Sequence, residues 1–302
     1  MAETASSNLV AAFDIGSNSI KLTIASVDSN GAVTELTNSV ETTRLGHEID
    51  RTGRIADDRA TATFAALERM TLSATEAGVG SKIGVATEAV RVASNGASFL
   101  GELRERFGID VVQIDGTREA ELTYNGLASM RTLDGSVLML DIGGASTEIV
   151  SGDGPTILSA VSLPLGSGRL TDEIITNDPP TLAELSVARI AASDMLAQLS
   201  WERRTGARLI ISGGTGGYLS AFLDGKSELT LPEIDAAQAK IALMPASELA
   251  PLIGAGVERA HVLPAGIAII LAAIDRANPR SIETAPSGLR IGLIQAAAKG
   301  AI

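Results

Sequence analysis

The chain has 302 residues, no cysteine, and a formal charge of −12 from 24 Lys plus Arg against 36 Asp plus Glu. This length allows one large domain or two of about 150 residues, and 45% hydrophobic content with 20% charged residues excludes wholesale disorder. Without Cys there are no disulfides, thiolate nucleophiles or Cys-based metal centres. The acidic balance and 3% aromatic content exclude a basic nucleic-acid binder with a stacking platform.

The opening Met1-Ala2-Glu3-Thr4-Ala5-Ser6-Ser7-Asn8 lacks the basic region of a signal peptide, so the expected location is the cytoplasm. Leu9 to Phe13 is a short apolar run that ends at Asp14-Ile15-Gly16-Ser17-Asn18. The alternation Ile20-Lys21-Leu22-Thr23-Ile24 predicts a half-buried strand. A third strand is expected from Ser39 to Leu45-Gly46, then a helix from Asp57 to Glu76 and a strand at Ile83 to Ala86, with Arg91 at that strand's end. The pattern then repeats. Val137 to Leu140 ends at Asp141-Ile142-Gly143-Gly144-Ala145 and is followed by Ser146-Thr147-Glu148-Ile149-Val150. A third strand from Ser159 to Leu165-Gly166, a helix from Thr181 to Arg204 and a strand at Leu209 to Ser212 follow. Asp14 and Asp141 lie 127 residues apart, and Ile83 and Leu209 lie 126 apart. Four elements matched in order imply two α/β domains of like topology, with a boundary near Gly116 to Gly135. A ligand cleft is expected between the halves. The longest apolar run, Val262 to Ile274, is broken by Pro264 and Gly266 and too short to span a bilayer, so it predicts a buried helix and no membrane partner.

A strand that ends in Asp-x-Gly sets a carboxylate beside bare backbone. Glycine lets a phosphate approach the N–H groups and tolerates unusual φ. Ser17, Asn18, Ser146 and Thr147 add donors, and Asp14 and Asp141 could hold Mg²⁺ directly or through water. Two such turns would make a phosphate clamp, whereas either one alone reads equally as a tight hairpin. Gly213-Gly214-Thr215-Gly216-Gly217 is a third Gly-rich stretch. It would cradle phosphate or ribose, or simply open a helix.

These residues resemble a known family. The carriers are Phe13 to Lys21, Thr43-Arg44-Leu45-Gly46 with Thr52-Gly53-Arg54, Val85 to Arg91 with Ser94-Asn95-Gly96, Asp141 to Glu148, Leu165 to Leu170, Ser212 to Thr215, and Ser287 to Arg290. Over nearly the whole chain they resemble the exopolyphosphatase and guanosine pentaphosphate phosphatase family of the actin, sugar-kinase and chaperone ATPase superfamily. The resemblance implies an α/β fold of two duplicated actin-like (ribonuclease H-like) domains, residues 1–125 and 126–302, with the last helix able to pack back on the first domain. It implies hydrolysis of a terminal phosphoanhydride with Mg²⁺, or Mn²⁺ in its place, in an interdomain cleft, and a homodimer.

The family's base maps to Glu119 in Thr117-Arg118-Glu119-Ala120-Glu121, a stretch that by itself would read as a solvated helix start; Glu121 is the competitor. A carboxylate there would orient and deprotonate an attacking water. Glu148 is a helper for metal or water. Arg91 leads the cationic candidates, ahead of Lys21, Arg44, Arg169 and Arg259, because the guanidinium fork matches phosphate oxygens. The phosphate-binding set is Gly16, Ser17, Asn18, Lys21, Gly143, Gly144, Ala145, Ser146, Thr147, Gly213, Gly214 and Thr215, and Asp14 and Asp141 are the metal ligands. The chain departs from the family pattern at Ala145, where glycine is usual, at Arg118, where glutamate is common, and at His261, where aspartate is usual.

Two substrates follow from the resemblance: inorganic polyphosphate and guanosine penta- or tetraphosphate, the latter needing a base and ribose pocket near Gly213 to Gly217. A non-hydrolysing alarmone or nucleotide sensor is the reading from another class, and Glu119 speaks against it. Net charge sums the whole surface, while binding answers to the field at one site. The −12 charge therefore leaves polyphosphate open but demands a narrow basic track for long chains.

Overall fold

A computed structural model describes residues 8–199 and 206–302. The chain divides into two compact units, residues 1–127 with 288–302, and residues 128–287.

Unit 1 runs β1 (Asn8–Ile15), β2 (Ser19–Val27), β3 (Val33–Thr42), α1 (Ile49–Thr52), α2 (Asp57–Glu76), β4 (Ser81–Ala86), α3 (Glu88–Val92), α4 (Gly96–Phe107), β5 (Asp110–Gln113) and α5 (Gly116–Met130). Its sheet has the order β3-β2-β1-β4-β5. β1, β2 and β3 form an antiparallel meander, and β4 and β5 join parallel to β1. The helix expected from Asp57 to Glu76 is α2, with the same bounds.

Unit 2 runs β6 (Ser136–Ile142), β7 (Thr147–Asp153), β8 (Thr156–Leu163), α6 (Ser167–Ile174), α7 (Leu182–Ala197), β9 (Arg208–Ser212), α8 (Gly213–Phe222), β10 (Glu228–Leu229), α9 (Leu231–Ile241), α10 (Ala246–Leu252), α11 (Val257–Ala277) and β11 (Ser281–Ala285). The order β10-β11-β9-β6-β7-β8 repeats that of unit 1 from its other end, with β10 added. The duplication extends to a defect. The register shifts at Ile24/Ala25 in the β2–β3 pair and at Ser151/Gly152 in the β7–β8 pair, again 127 residues apart. The α/β fold class and the duplicated actin-like units match the sequence reading.

Local chemistry explains the helix starts. Thr181 and Glu184 close a capping box on α7, and Thr230 and Glu233 close one on α9. Lys226, followed by Thr230, draws the Glu233 carboxyl down to about 2. Of the helix expected from Thr181 to Arg204, residues 200–204 lie outside the described residues.

β2 departs from the half-buried expectation, because Ile20, Leu22 and Ile24 pack with Phe64, Leu67 and Met70 of α2. On the other face, Ala25 and Val27 pack with Leu289, Leu293 and Ile294 of α12 (Leu289–Ala298), the helix that brings the chain end to unit 1. Buried Arg290 of α12 donates from Nε to Thr23 Oγ1 (2.7 Å) and from Nη2 to Asn38 Oδ1 (3.2 Å). The apolar run Val262 to Ile274 lies inside α11, whose 21 residues are long and apolar enough to cross a membrane; most of them are buried in the protein, so α11 is a core helix.

α5 and α12 cross at glycines. A Cβ on Gly126 would lie 2.0 Å from the Gly288 carbonyl oxygen, and one on Gly292 would lie 2.0 Å from that of Leu122. Close approach of two backbones therefore requires bare Cα atoms here. Gly292→Val is expected to cost about 1–3 kcal/mol or more through overpacking. Thermal unfolding followed by circular dichroism checks this, and an unchanged Tm would contradict it.

Candidate active site

Each unit carries one Asp-x-Gly hairpin, and the two share a construction. Gly16 N donates to Ser19 O (3.2 Å), and Gly143 N donates to Ser146 O (2.9 Å). The loop after the third strand then folds over each turn. In unit 1, Gly46 N donates to Ser17 O (2.8 Å), and both Thr43 N and Arg44 N donate to Asn18 O. In unit 2, Ser167 N donates to Gly143 O and Arg169 N to Gly144 O, each at 2.9 Å. Glycine is needed at both covers. A Cβ on Gly46 would lie 2.9 Å from Ser17 Cβ, and one on Gly166 would lie 2.3 Å from Gly144 O. So residues 43–46 and 164–166, expected as strand ends, are loops that clamp the turns.

The hairpins differ in the residue that faces the aspartate. Across β1–β2, Asp14 pairs with Lys21, and Nζ donates to Oδ2 at 2.9 Å. Asp14 is 2% exposed, so its charge is compensated inside the turn. Across β6–β7, Asp141 pairs with Glu148. Two carboxylates stand opposite one another there, an arrangement that is unfavourable without support. Glu148, also 2% exposed, accepts hydroxyl hydrogen bonds at Oε1 from Ser146 (2.9 Å) and Ser162 (2.7 Å). Asp141 accepts one from Ser287 at Oδ2 (3.2 Å).

A cation completes this cluster. Arg259, in the first turn of α11, is 7% exposed and lies 5.1 Å over the Tyr218 ring. Burial pushes its guanidinium below the ordinary value, while Tyr218 and the Asp141 carboxylate favour the charged form. A cation is unfavourable at a helix N-terminus, so Arg259 depends on these two partners.

Gly213, Gly214 and Thr215 belong to the first turn of α8, not to an open loop. Gly213 has φ +80° and sits against Asp141, where a Cβ would be 2.1 Å from Oδ1. A Cβ on Gly214 would be 2.2 Å from Arg259 Nη2. These bare Cα atoms admit an aspartate and an arginine. Thr215 is buried and donates to the Ile142 carbonyl at 3.2 Å. Thr147 is also buried, and its hydroxyl donates to Leu165 O. Both hydroxyls are thus spent on the fold. Gly144 and Ala145 sit under α6, with Arg169 Nη1 donating to Ala145 O (2.9 Å).

In unit 1, Ser17 Oγ accepts from Ala89 N (3.2 Å), and the buried Asn18 Nδ2 has no hydrogen-bond partner among the described residues. Arg91 lies on the short helix α3 rather than at a strand end. It donates to Ile114 O (2.9 Å) and to Glu88 Oε2 (3.3 Å). Glu119 is half-buried in the first turn of α5, while its competitor Glu121 is paired with Arg118 (3.1 Å). The partners Ser162, Ser287 and Tyr218 were not among the residues expected at the site. Tyr218 stands four residues after Gly214, hence on the same helix face, and hairpin register sets Ser162 opposite Glu148.

Many surface cations are neutralised locally. Arg51 pairs with Glu48, Arg54 with Asp57, Arg69 with Glu41, Arg189 with Asp275 and Lys226 with Glu233. No group of three or more His, Cys, Asp or Glu able to hold a metal occurs among the described residues. Mg²⁺, however, keeps several waters and is usually bound by one or two carboxylates plus substrate phosphate oxygens. Asp141 and Glu148 could supply that donor set, whereas Asp14 is engaged by Lys21.

Two like-built α/β units, each with an Asp-x-Gly turn, and facing carboxylates in the second suit a protein that handles phosphate. Residues 23–300 match the Ppx/GppA phosphatase family, and the chain belongs to it. It is similar to Exopolyphosphatase 1 of Mycobacterium tuberculosis, with 32% identity over 301 residues that cover 93% of this chain and 86% of the relative. The protein of the same name from Mycobacterium leprae is 31% identical, with 93% and 87% covered. The structure of the Aquifex aeolicus family member superposes with a TM-score of 0.78 at 28% identity, covering 97% of this chain and 98% of that one. An exopolyphosphatase structure from Cytophaga hutchinsonii shares the fold, with a TM-score of 0.88 at 23% identity and coverage of 98% and 99%. Family membership makes the chain an enzyme, a phosphoanhydride hydrolase.

Lys21→Met leaves Asp14 as a buried carboxylate without its ion-pair partner. Urea unfolding should show a loss of about 1–3 kcal/mol, partly recovered in Asp14→Asn/Lys21→Met. A single variant as stable as the wild type would contradict the pairing.

Proposed function

We propose that the protein is an exopolyphosphatase that releases the terminal phosphate of inorganic polyphosphate with Mg²⁺. The observation that carries this reading is the second hairpin, which combines facing carboxylates, bare backbone and a buried arginine. The names of the Mycobacterium relatives support it. Asp141 and Glu148 would hold the metal, whose charge would neutralise developing negative charge on the phosphoryl oxygens. Gly143, Gly144, Ala145 and Ser146 would line the phosphate in unit 2, and Gly16, Ser17 and Asn18 in unit 1. Arg91, aimed by Glu88 and the Ile114 carbonyl, would supply a guanidinium to phosphate oxygens. Glu119 would orient and deprotonate the attacking water.

Guanosine pentaphosphate is the weaker substrate in this reading, because Asp141 and Arg259 fill the space beside Gly213 and Gly214. Local ion pairing together with the −12 charge favours short polyphosphate over long chains. Each phosphate laid beside a paired cation also meets that cation's carboxylate.

Phosphate release with Mg²⁺, from polyphosphates of increasing length and from guanosine pentaphosphate, tests the proposal. Wild type should act on polyphosphate, with kcat/KM that does not rise with chain length, and Glu119→Ala should lose about 10²–10⁴-fold in kcat. No release from any polyphosphate would sink the function. Full activity in Glu119→Ala would sink the assignment of the base. Binding of the substrate should weaken as salt rises, and salt-independent KM would contradict a charge-held phosphate.

A further inference from the structure

The buried arginine beside the second hairpin sits in a slot made by one helix face. Gly214 and Tyr218 are four residues apart on α8, so they share that face. Gly214 contributes a floor without a side chain, and a Cβ there would meet Arg259 Nη2 at 2.2 Å. Tyr218 contributes the wall, its ring centroid 5.1 Å from the guanidinium carbon, and its body packs on the core of unit 2. The guanidinium thus lies beside the first turn of α8 while rooted in the first turn of α11. Both helix starts carry positive partial charge. A cation 7% exposed in that field needs fixed compensation. Asp141 supplies charge, and the face of Tyr218 supplies a π surface that needs no hydration.

We propose that Tyr218 is a positioning residue for the reaction: its ring holds Arg259 against Gly214 and beside Asp141, so that the phosphate site of unit 2 keeps a fixed positive charge. The inference rests on the exopolyphosphatase reading for its kinetic arm only. Without the ring the guanidinium loses its wall, swings out of the slot, and leaves the carboxylate pair Asp141 and Glu148 less compensated. The effect falls on phosphate binding, because Tyr218 lies behind Arg259 and takes no part in proton transfer.

The test compares Tyr218→Phe, Tyr218→Leu and Gly214→Ala in the full chain. Binding of inorganic tripolyphosphate with Mg²⁺ is measured by calorimetry, and KM and kcat by phosphate release. Phe keeps the π face and loses only the hydroxyl, so it should stay closer to wild type than Leu in both binding and turnover. Leu keeps bulk but loses the face and should raise both Kd and KM about fivefold, with kcat within about twofold. Gly214→Ala pushes the guanidinium from the opposite side and should give the same split. It decides the matter if the Leu variant does not fold. Equal impairment of Phe and Leu, or unchanged Kd in both Leu and Gly214→Ala, would overturn the proposal. If wild type releases no phosphate, the function fails, while the calorimetric comparison still decides the role of Tyr218.

Discussion

Hairpin register is the constraint on which the site depends. A strand that ends in Asp-x-Gly and turns back within a few residues fixes which side chain stands opposite the aspartate. In unit 1 that residue is Lys21, and in unit 2 it is Glu148. The first pair is self-neutralised. The second places two negative groups across one ladder, and the surrounding structure answers it with Ser146, Ser162 and Ser287 hydroxyls and the buried Arg259. One duplicated framework thereby yields two turns of different electrostatic character. The first is neutralised by its own ion pair, whereas the second keeps facing carboxylates beside a buried arginine.

The glycines tell a second part of the story. Gly46 and Gly166 let a loop lie directly on each turn, so the backbone amides are held by the fold rather than by ligand. Amides held in this way would cost no rearrangement on receiving an anion. Gly213 and Gly214 look like a phosphate cradle in the sequence, yet their open space is taken by Asp141 and Arg259. Glycine-rich stretches thus serve close packing of charged side chains as well as ligand approach.

The order hairpin, third strand, helix, strand in each half, the duplication, the bounds of α2 and the two turns were legible in the sequence because each depends on local pattern. The facing pairs Asp14–Lys21 and Asp141–Glu148 were legible in principle, since a short hairpin fixes them, but alternation alone sent Lys21 toward solvent. Arg91, expected at the end of β4, lies in the short helix α3, whose five residues leave no periodicity to read. Ser287, Tyr218 and the packing of α12 on β2 join residues far apart in the chain, and no local signal announces them.

In the proposed function each turn would receive phosphate oxygens, the second more strongly. Amide chemical-shift mapping of the Glu119→Ala protein titrated with tripolyphosphate and Mg²⁺ tests this most directly. The largest shifts should fall on Gly143, Gly144, Ala145 and Ser146, with smaller ones on Gly16, Ser17 and Asn18. Shifts confined to other surfaces, with both turns silent at saturation, would contradict it.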